Sequence, residues 1–146
     1  MKYDYTIEGD VLKKYNAPIL GCDDVAEVPD GITAIGRAAF YYIRGLDGVR
    51  LPDSVRSIGE EAFYACTSLT CITVDADNPI YISVGNCLID PSTQTLLLAC
   101  QGSIVPNDQS IKHIGANAFC MNGRIDGTVI PDGVISIGSR AYLAYS

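Results

Sequence analysis

One run of oxygen-bearing side chains could hold a cation. Asp75-Ala76-Asp77-Asn78 supplies the carboxylate and amide oxygens that Ca²⁺ prefers. The glycine and the closing glutamate of a known calcium loop do not follow it. Asp and Asn also accept hydrogen bonds from nearby backbone amides, which is their usual role in turns. The run therefore predicts a plain turn, and we assign no metal site to the chain.

The cysteines are a second candidate for chemistry. They lie in apolar stretches without a Cys-x-x-Cys pair, and His113 is the only histidine, so the ligand spacing of a zinc site is missing. A disulfide framework would fit a small secreted domain, but scattered positions favour buried, reduced thiols. The six residues are Cys22, Cys66, Cys71, Cys87, Cys100 and Cys120.

Patterns for catalysis are missing from the sequence. Glu60 and Glu61 are adjacent, so their carboxylates point to different sides and do not form an acid/base pair by themselves. The glycine patterns of dinucleotide and phosphate sites do not occur, nor does the Gly-x-Ser-x-Gly of serine hydrolases. We predict a protein that is not an enzyme and has no cofactor.

The net charge and the hydropathy of the chain argue against nucleic acid as a partner and against a membrane span. The net charge is −7 and the basic residues form no cluster, which argues against nucleic acid. No apolar run approaches the roughly 20 residues of a membrane span. The first residues lack the apolar core of a signal peptide, although a leader removed from a longer chain would leave the same sequence. We therefore expect no membrane span, and the chain itself does not reveal its localisation.

An internal repeat positions all of these residues. The segment from Val28 to Phe40 recurs from Leu51 to Phe63, which gives a period of about 23 residues. Further copies begin at Val105 and Ile130. Self-similarity at this period is typical of solenoids, in which each coil covers the apolar face of its neighbour.

A longer period contains the short one. Tyr5-x-x-x-Gly9-x-x-Leu12 has the same layout as Tyr81-x-x-x-Gly85-x-x-Leu88 in the second half of the chain. We interpret 1–146 as one domain with an internal duplication, 1–73 and 81–146. The second unit ends before the counterpart of the segment from Leu69 to Val74, so the last coil is incomplete.

Each part of the repeat predicts local structure. Leu69-x-x-Ile72-x-Val74 predicts a strand with its apolar side chains turned inward, and Pro-Asp-Gly predicts a chain reversal. Gly59 would allow a positive φ or a close backbone approach, and the acidic pair that follows suits the start of a single helical turn up to Tyr64. The predicted fold is an α/β repeat solenoid, leucine-rich-repeat-like, with coils of about 23 residues, short strands and single helical turns.

Aromatic residues recur at one position of the repeat and predict a core ladder. Because each coil contributes one ring, we expect the rings to stack, with Phe63 flanked by rings on both sides and the most damaging residue to truncate. The ladder consists of Phe40, Phe63, Phe119 and Tyr142.

The full motif, Ile-Pro-x-x-Val-x-x-Ile-Gly-x-x-Ala-Phe followed by Leu-x-x-Ile-x-Ile, resembles the BspA-type leucine-rich repeat over essentially the whole chain. The stretch from Tyr81 to Ser103 is similar to the irregular coil interleaved in that family. The resemblance implies a bacterial cell-surface or secreted protein engaged in adhesion or partner recognition.

Outward side chains of the strands are the candidate contacts. A solenoid sheet commonly binds proteins or glycans, so we predict a non-catalytic binding module. The alternative is a structural spacer with no ligand of its own. The predicted binding residues are Asp47, Arg50, Thr70, Thr73 and Asp126.

The incomplete last coil predicts an exposed strand edge around Ile125 to Ile130. Such an edge offers unpaired amides and carbonyls to another chain. We expect Leu143 and Tyr145 either to fold over this end or to join a second molecule, which would give an end-to-end homo-oligomer.

Overall fold

The computed structural model describes residues 4–16, 24–43, 45–119 and 130–142, and twelve short strands run through these ranges. They are β1 Asp4–Glu8, β2 Val11–Asn16, β3 Asp24–Glu27, β4 Ala34–Ile35, β5 Leu46–Leu51, β6 Ser57–Ile58, β7 Cys71–Val74, β8 Ile82–Val84, β9 Cys87–Asp90, β10 Thr95–Ala99, β11 His113–Ile114 and β12 Ser136–Ile137. None of the described ranges contains a helix, so none contains one able to span a membrane.

The strands form three sheets that follow the repeat. One has the order β1-β2-β4-β6, the second β12-β11-β10-β9-β8, and the third β3-β5-β7. Strands from successive regular coils pair in parallel, one repeat apart, as in Gly48 with Cys71 and Val49 with Ile72. The predicted stack of coils, each of about 23 residues, is therefore confirmed.

The core lies between the sheets and follows the predicted strand pattern. Leu69, Ile72 and Val74 are buried, as are the equivalent Leu46, Val49 and Leu51 of the preceding coil. Within β7, alternation turns Ile72 and Val74 inward and leaves Cys71 and Thr73 on the solvent side. Burial of these aliphatic columns against neighbouring coils stabilises the stack.

The proline turns form as expected. Gly31 and Gly133 have positive φ values of +90° and +87°, which glycine adopts without steric strain. The amide of Ile32 donates to the carbonyl of Pro29 at 3.3 Å and closes the turn. At Gly59 the reason for glycine is close approach, since an added Cβ would lie 2.6 Å from the backbone nitrogen of Arg37.

The expected helical turn does not form. We call the segments 36–42, 59–65, 115–119 and 138–142 the corners. Each has a positive φ two residues after its glycine, at Ala38, Glu61, Asn117 and Arg140, and this conformation breaks a helix. A helix would satisfy amides within its own turn, whereas the amide of Phe40 donates to Ala62 of the next coil at 2.7 Å. Hydrogen bonding between coils therefore replaces the helix.

The aromatic ladder is present in two separate pieces. Tyr15 stacks on Phe40 with ring centroids 5.4 Å apart, and Phe40 stacks on Phe63 at 5.1 Å. Phe119 stacks on Tyr142 at 4.7 Å. Phe63 thus has a stacked ring on one side, not on both as expected. Aliphatic side chains of the following irregular coil continue the core beyond it.

In the opening coils of the two units, the strands that pair with the next coil are not the ones that the sequence alignment of the duplication matches. β2 pairs with β4 through Leu12 and Ile35, and β10 pairs with β11 through Leu96 and Ile114. The strand that corresponds to β2 is therefore β10, while Leu88, the sequence counterpart of Leu12, lies in β9. The three-stranded meander β8-β9-β10 takes the place of the two-stranded hairpin β1-β2, so an extra strand shifts the register.

The described cysteines carry free thiols, and three of the four are buried. Cys66, Cys87 and Cys100 fit the sequence prediction, but Cys71 is only half-buried on the solvent side of β7, which corrects it. The Cys66 thiol donates to the carbonyl of Phe40 at 2.9 Å, and burial raises the pKa of this thiol to about 12. Cys22 and Cys120 lie outside the described residues.

The predictions for the chain end fall largely outside the described ranges. Residues 120–129 and 143–146 are not included, so the expected edge strand up to Val129 and the covering role of Leu143 and Tyr145 stay predictions. The end-to-end homo-oligomer likewise stays a prediction.

Candidate binding surfaces

The solvent side of the sheet β3-β5-β7, here called the parallel sheet, displays side chains in columns. Pairing in register places Glu27 beside Arg50 and Arg50 beside Thr73. A second column contains Val25, Gly48 and Cys71. Inward neighbours are anchored in the core, so the backbone holds each outward residue at a fixed spacing of about 4.8 Å from the next strand.

The first column carries opposite charges. Arg50 Nη1 lies 3.4 Å from Glu27 Oε1, and both side chains are more than 60% exposed. An ion pair this exposed contributes little to stability, so both groups are available to a partner. A shallow depression of about 190 Å³ lies at this end of the strands, bordered also by Thr73, Asp75 and Asp30.

The other end of the strands holds the remaining predicted contacts. Thr70 Oγ1 donates to the carbonyl oxygen of Asp47 at 3.2 Å, and the Thr70 amide donates to the same oxygen at 2.9 Å. Three residues along a strand separate this group from Arg50 and Thr73 by about 10 Å. Asp47 and Arg50 lie in β5, Thr73 lies in β7 and Thr70 immediately precedes it, so four of the five predicted binding residues fall in two groups along this sheet. Asp126 lies outside the described residues.

Sequence reasoning missed Glu27 and Asp75, which border the same depression. Glu27 precedes Arg50 by one repeat period, and this spacing is the signal that could have found it. Its strand, Asp-Val-Ala-Glu, lacks the Leu-x-x-Val-x-Leu pattern that marks the later strands, so the first coil was not identified as contributing to the sheet.

A tyrosine patch, also missed, lies on two successive corners. Tyr41 and Tyr42 are 41% and 40% exposed, and the Tyr41 ring lies parallel to that of Tyr64 with centroids 5.1 Å apart. The residues after Phe119 and Tyr142 in the later copies are not tyrosines, so the corner does not need them. Partly exposed tyrosines are enriched at protein interfaces because they combine apolar area with a polar hydroxyl.

The run at Asp75 forms the predicted turn. Asp75 Oδ1 accepts the amide of Asp77 at 2.8 Å, and the buried Asn78 donates to the carbonyl of Pro52 at 2.9 Å. The Asn78 side chain thus ties the turn to the preceding coil. In the ranges that the structure describes, no three His, Cys, Asp or Glu side chains converge to hold a metal ion.

Comparison with known proteins gives the family. The pattern of the BspA type leucine rich repeat region matches residues 24–86 and 99–146 in six copies. No curated protein matches the chain.

Three solved structures share the fold. A leucine-rich repeat protein from Eubacterium ventriosum superposes with a TM-score of 0.70 at 22% identity, covering 82% of this chain and 33% of its own. The pneumococcal vaccine antigen PcpA superposes with a TM-score of 0.66 at 23% identity, and the match covers 74% of this chain and 27% of the antigen. A leucine-rich repeat protein from Bacteroides ovatus superposes with a TM-score of 0.51 at 23% identity, and the match covers 93% of this chain and 35% of that protein.

The chain thus spans about a third of the length of these proteins. At such identities the superposition establishes the fold, whereas the repeat pattern, which covers most of the chain, establishes the family. This chain belongs to the BspA-type leucine-rich repeat family.

Proposed function

We propose that the chain is a non-catalytic recognition module that binds a protein or glycan through the solvent side of the parallel sheet. The observation that carries the proposal is the column of Glu27, Arg50 and Thr73, which three successive coils place side by side on one exposed face. The exposed side chains of this column rest on a buried strand backbone, so little conformational freedom of the backbone is lost when a partner binds.

The charge distribution indicates the chemistry of the partner. Arg50 shares the rim of the depression with the carboxylate-bearing residues Glu27, Asp30 and Asp75. A partner that presents both hydrogen-bond donors and one acidic or hydroxyl acceptor would match this arrangement. Adhesion and a place on a bacterial surface are part of the proposal, because the family resemblance implies them.

A quadruple alanine variant tests the proposal. Asp47, Arg50, Thr70 and Thr73 are replaced together, and binding to a glycan array and to purified candidate proteins is compared with the intact chain. We expect affinity to fall by about tenfold or more, because several polar contacts are removed from one face. Thermal stability should change little, since these side chains lie at the surface.

The matched control replaces the same residue types elsewhere, at Asp53, Arg37, Thr6 and Thr93, all of which are exposed. Unchanged binding by this control and loss by the first variant would support the proposal. Equal binding by both variants would contradict it. If the intact chain captures no partner at all, the spacer alternative is favoured.

A further inference from the structure

Backbone amides in the corners bind the next coil in a regular pattern. In both contacts between regular corners, two amides separated by one residue donate to two carbonyls of the following corner, and in the first corner a third amide, that of Tyr42, donates to the carbonyl of Tyr64 at 2.9 Å. Their donor–acceptor pairs and distances are Ala38 to Glu60 at 3.1 Å, Phe40 to Ala62 at 2.7 Å, Asn117 to Ser139 at 3.0 Å and Phe119 to Ala141 at 2.7 Å. The corner ladder is therefore a reproducible feature of regular stacking.

The ladder stops at the second corner. Glu61 and Phe63 occupy the positions of Ala38 and Phe40, and Glu61 has the same positive φ. The equivalent amides therefore point away from the preceding coil, but no acceptor faces them among the residues that the structure describes. The coil that follows is the meander β8-β9-β10, which has no corner of its own.

A cleft of about 650 Å³ lies where that missing corner would be. Glu61 and Phe63 lie on one wall, and Leu97 and Asn117 lie across it. The volume is within the range of specific ligand sites. Tyr81 also lines the cleft, and its hydroxyl donates to the carbonyl of Arg56 at 3.5 Å.

The acidic lining of the cleft favours a neutral or basic ligand among those that can accept hydrogen bonds. Glu60, Glu61 and Asp90 face a single cationic side chain, Arg140, in the lining. Open N–H groups need an acceptor, but the surplus of carboxylates disfavours an anion. A peptide carbonyl is a neutral acceptor, and a basic side chain on the same segment would be attracted to the carboxylates.

The far wall adds an acceptor for the same kind of ligand. The Oδ1 atom of Asn117 is buried and has no hydrogen-bond partner. An unsatisfied buried polar atom is unfavourable, so a donor from an inserted segment would be stabilising. A peptide offers donors and acceptors along one backbone, which suits both walls.

We propose that this cleft binds an extended basic segment of a partner protein, whose backbone carbonyls accept hydrogen bonds from the amides of Glu61 and Phe63. The segment takes the place of the missing corner, in the manner of a strand added to an open edge. Its Lys or Arg side chains lie against Glu60 and Asp90. The cleft is separate from the outward face of the parallel sheet, so either site can fail without the other.

Fluorescence anisotropy with synthetic peptides tests the binding. The probes are fluorescein-labelled peptides of about eight residues, one alternating Val and Lys and the other alternating Val and Glu. We expect the Val-Lys peptide to bind the full chain with a Kd below about 1 mM and the Val-Glu peptide to bind at least about tenfold more weakly. No binding of the Val-Lys peptide, or equal binding of both, would overturn the proposal.

Two pairs of variants locate the site. Ala116→Trp fills the cleft, whereas Arg37→Trp places the same ring at the equivalent corner position away from it. Glu60→Lys reverses one wall charge, whereas Asp132→Lys reverses an exposed charge outside the cleft. The first member of each pair should weaken binding by about tenfold or more and the second should not. Loss with Arg37→Trp or retention with Glu60→Lys would contradict the assignment.

Amide hydrogen exchange reports directly on the two donors. In the free protein the amides of Glu61 and Phe63 should exchange faster than those of Ala38 and Phe40, and saturation with the Val-Lys peptide should slow the first pair. Binding without this protection would show that the peptide lies elsewhere. The quadruple alanine variant of the parallel sheet should bind the peptide normally, which separates this site from the proposed sheet function.

Discussion

The contact between corners 36–42 and 59–65 differs from the junction between corner 59–65 and the meander. At the first contact both the aromatic core and the backbone ladder continue from coil to coil. At the junction the core continues through Leu88 and Leu98, but the corner ladder does not. Hydrophobic burial is non-directional and accepts aliphatic replacements, whereas a hydrogen bond needs an aligned partner. Core continuity and backbone pairing are thus separable in this solenoid.

Truncation of a ring in the aromatic ladder should lower the free energy of unfolding more than any other change considered below. Phe40 is fully buried between Tyr15 and Phe63, so Phe40→Ala should lower the free energy of unfolding by about 3–5 kcal/mol. Phe63→Ala should be less damaging, because its second side packs on aliphatic groups. Tyr142→Ala should be mildest, since this side chain is 38% exposed.

Urea unfolding of the three variants checks that order. A larger loss from Phe63→Ala than from Phe40→Ala would show that the junction core is packed as tightly as the regular stack. This result would also restore the expectation from sequence that Phe63 is the most sensitive position.

Gly59→Ala should be the next most damaging change. An added Cβ would lie 2.6 Å from the backbone nitrogen of Arg37, so the two coils must move apart locally. This should lower the free energy of unfolding by about 1–3 kcal/mol. Gly36→Ala is the matched control in the preceding coil, where the nearest atom, the carbonyl oxygen of Leu12, is 3.1 Å away. Thermal unfolding should show the larger decrease for Gly59→Ala. Equal decreases would mean that coil spacing is uniform along the stack.

Thiol labelling compares the same two regions chemically. Burial raises the pKa of Cys66, in the regular stack, to about 12, and that of Cys87, in the meander, to about 11. Below both values the thiolate fraction of Cys66 is about tenfold smaller, so it should react more slowly. Each rate should rise about tenfold per pH unit until the pKa is reached, and the half-buried Cys71 should react before both.

Mass-resolved labelling at pH 8, with Cys22 and Cys120 replaced by Ser in every sample, measures the order. Faster reaction of Cys66 than of Cys87 would indicate that the regular stack opens more readily than the meander.

Arg50→Ala should have the smallest effect on stability. The ion pair with Glu27 is exposed, so its loss should change the free energy of unfolding by less than about 1 kcal/mol. The same variant should weaken partner binding if the parallel sheet is a recognition surface. A large loss of stability would assign Arg50 a structural role and weaken the proposed function.

Much of the regular stack could be predicted from local patterns. Ile72 and Val74 indicated a strand because alternation along a strand is a local property, and Gly31 indicated a turn because its positive φ is set by adjacent residues. The prediction of a helical turn at Glu60 was wrong, because corner amides and carbonyls pair with the neighbouring coil and no local signal reports that.

In the candidate sites too, local patterns predicted some features, whereas others depended on contacts between coils. Arg50 and Thr73 were placed on one face by strand alternation, but the approach of Glu27 depended on a first strand without the repeat pattern. The junction cleft could not be foreseen, since the sequence aligned Leu12 with Leu88 and did not reveal the extra strand of the meander.

The sequence by itself determined the period, the family, the inward residues of the regular strands and the positions of the turns, because these depend on spacing along the chain. Tertiary structure alone decided which strand of the meander joins the next coil, where the corner ladder ends and which amides remain open. Hydrogen bonds between coils join residues that are far apart in the chain, and their partners are fixed only when the coils stack.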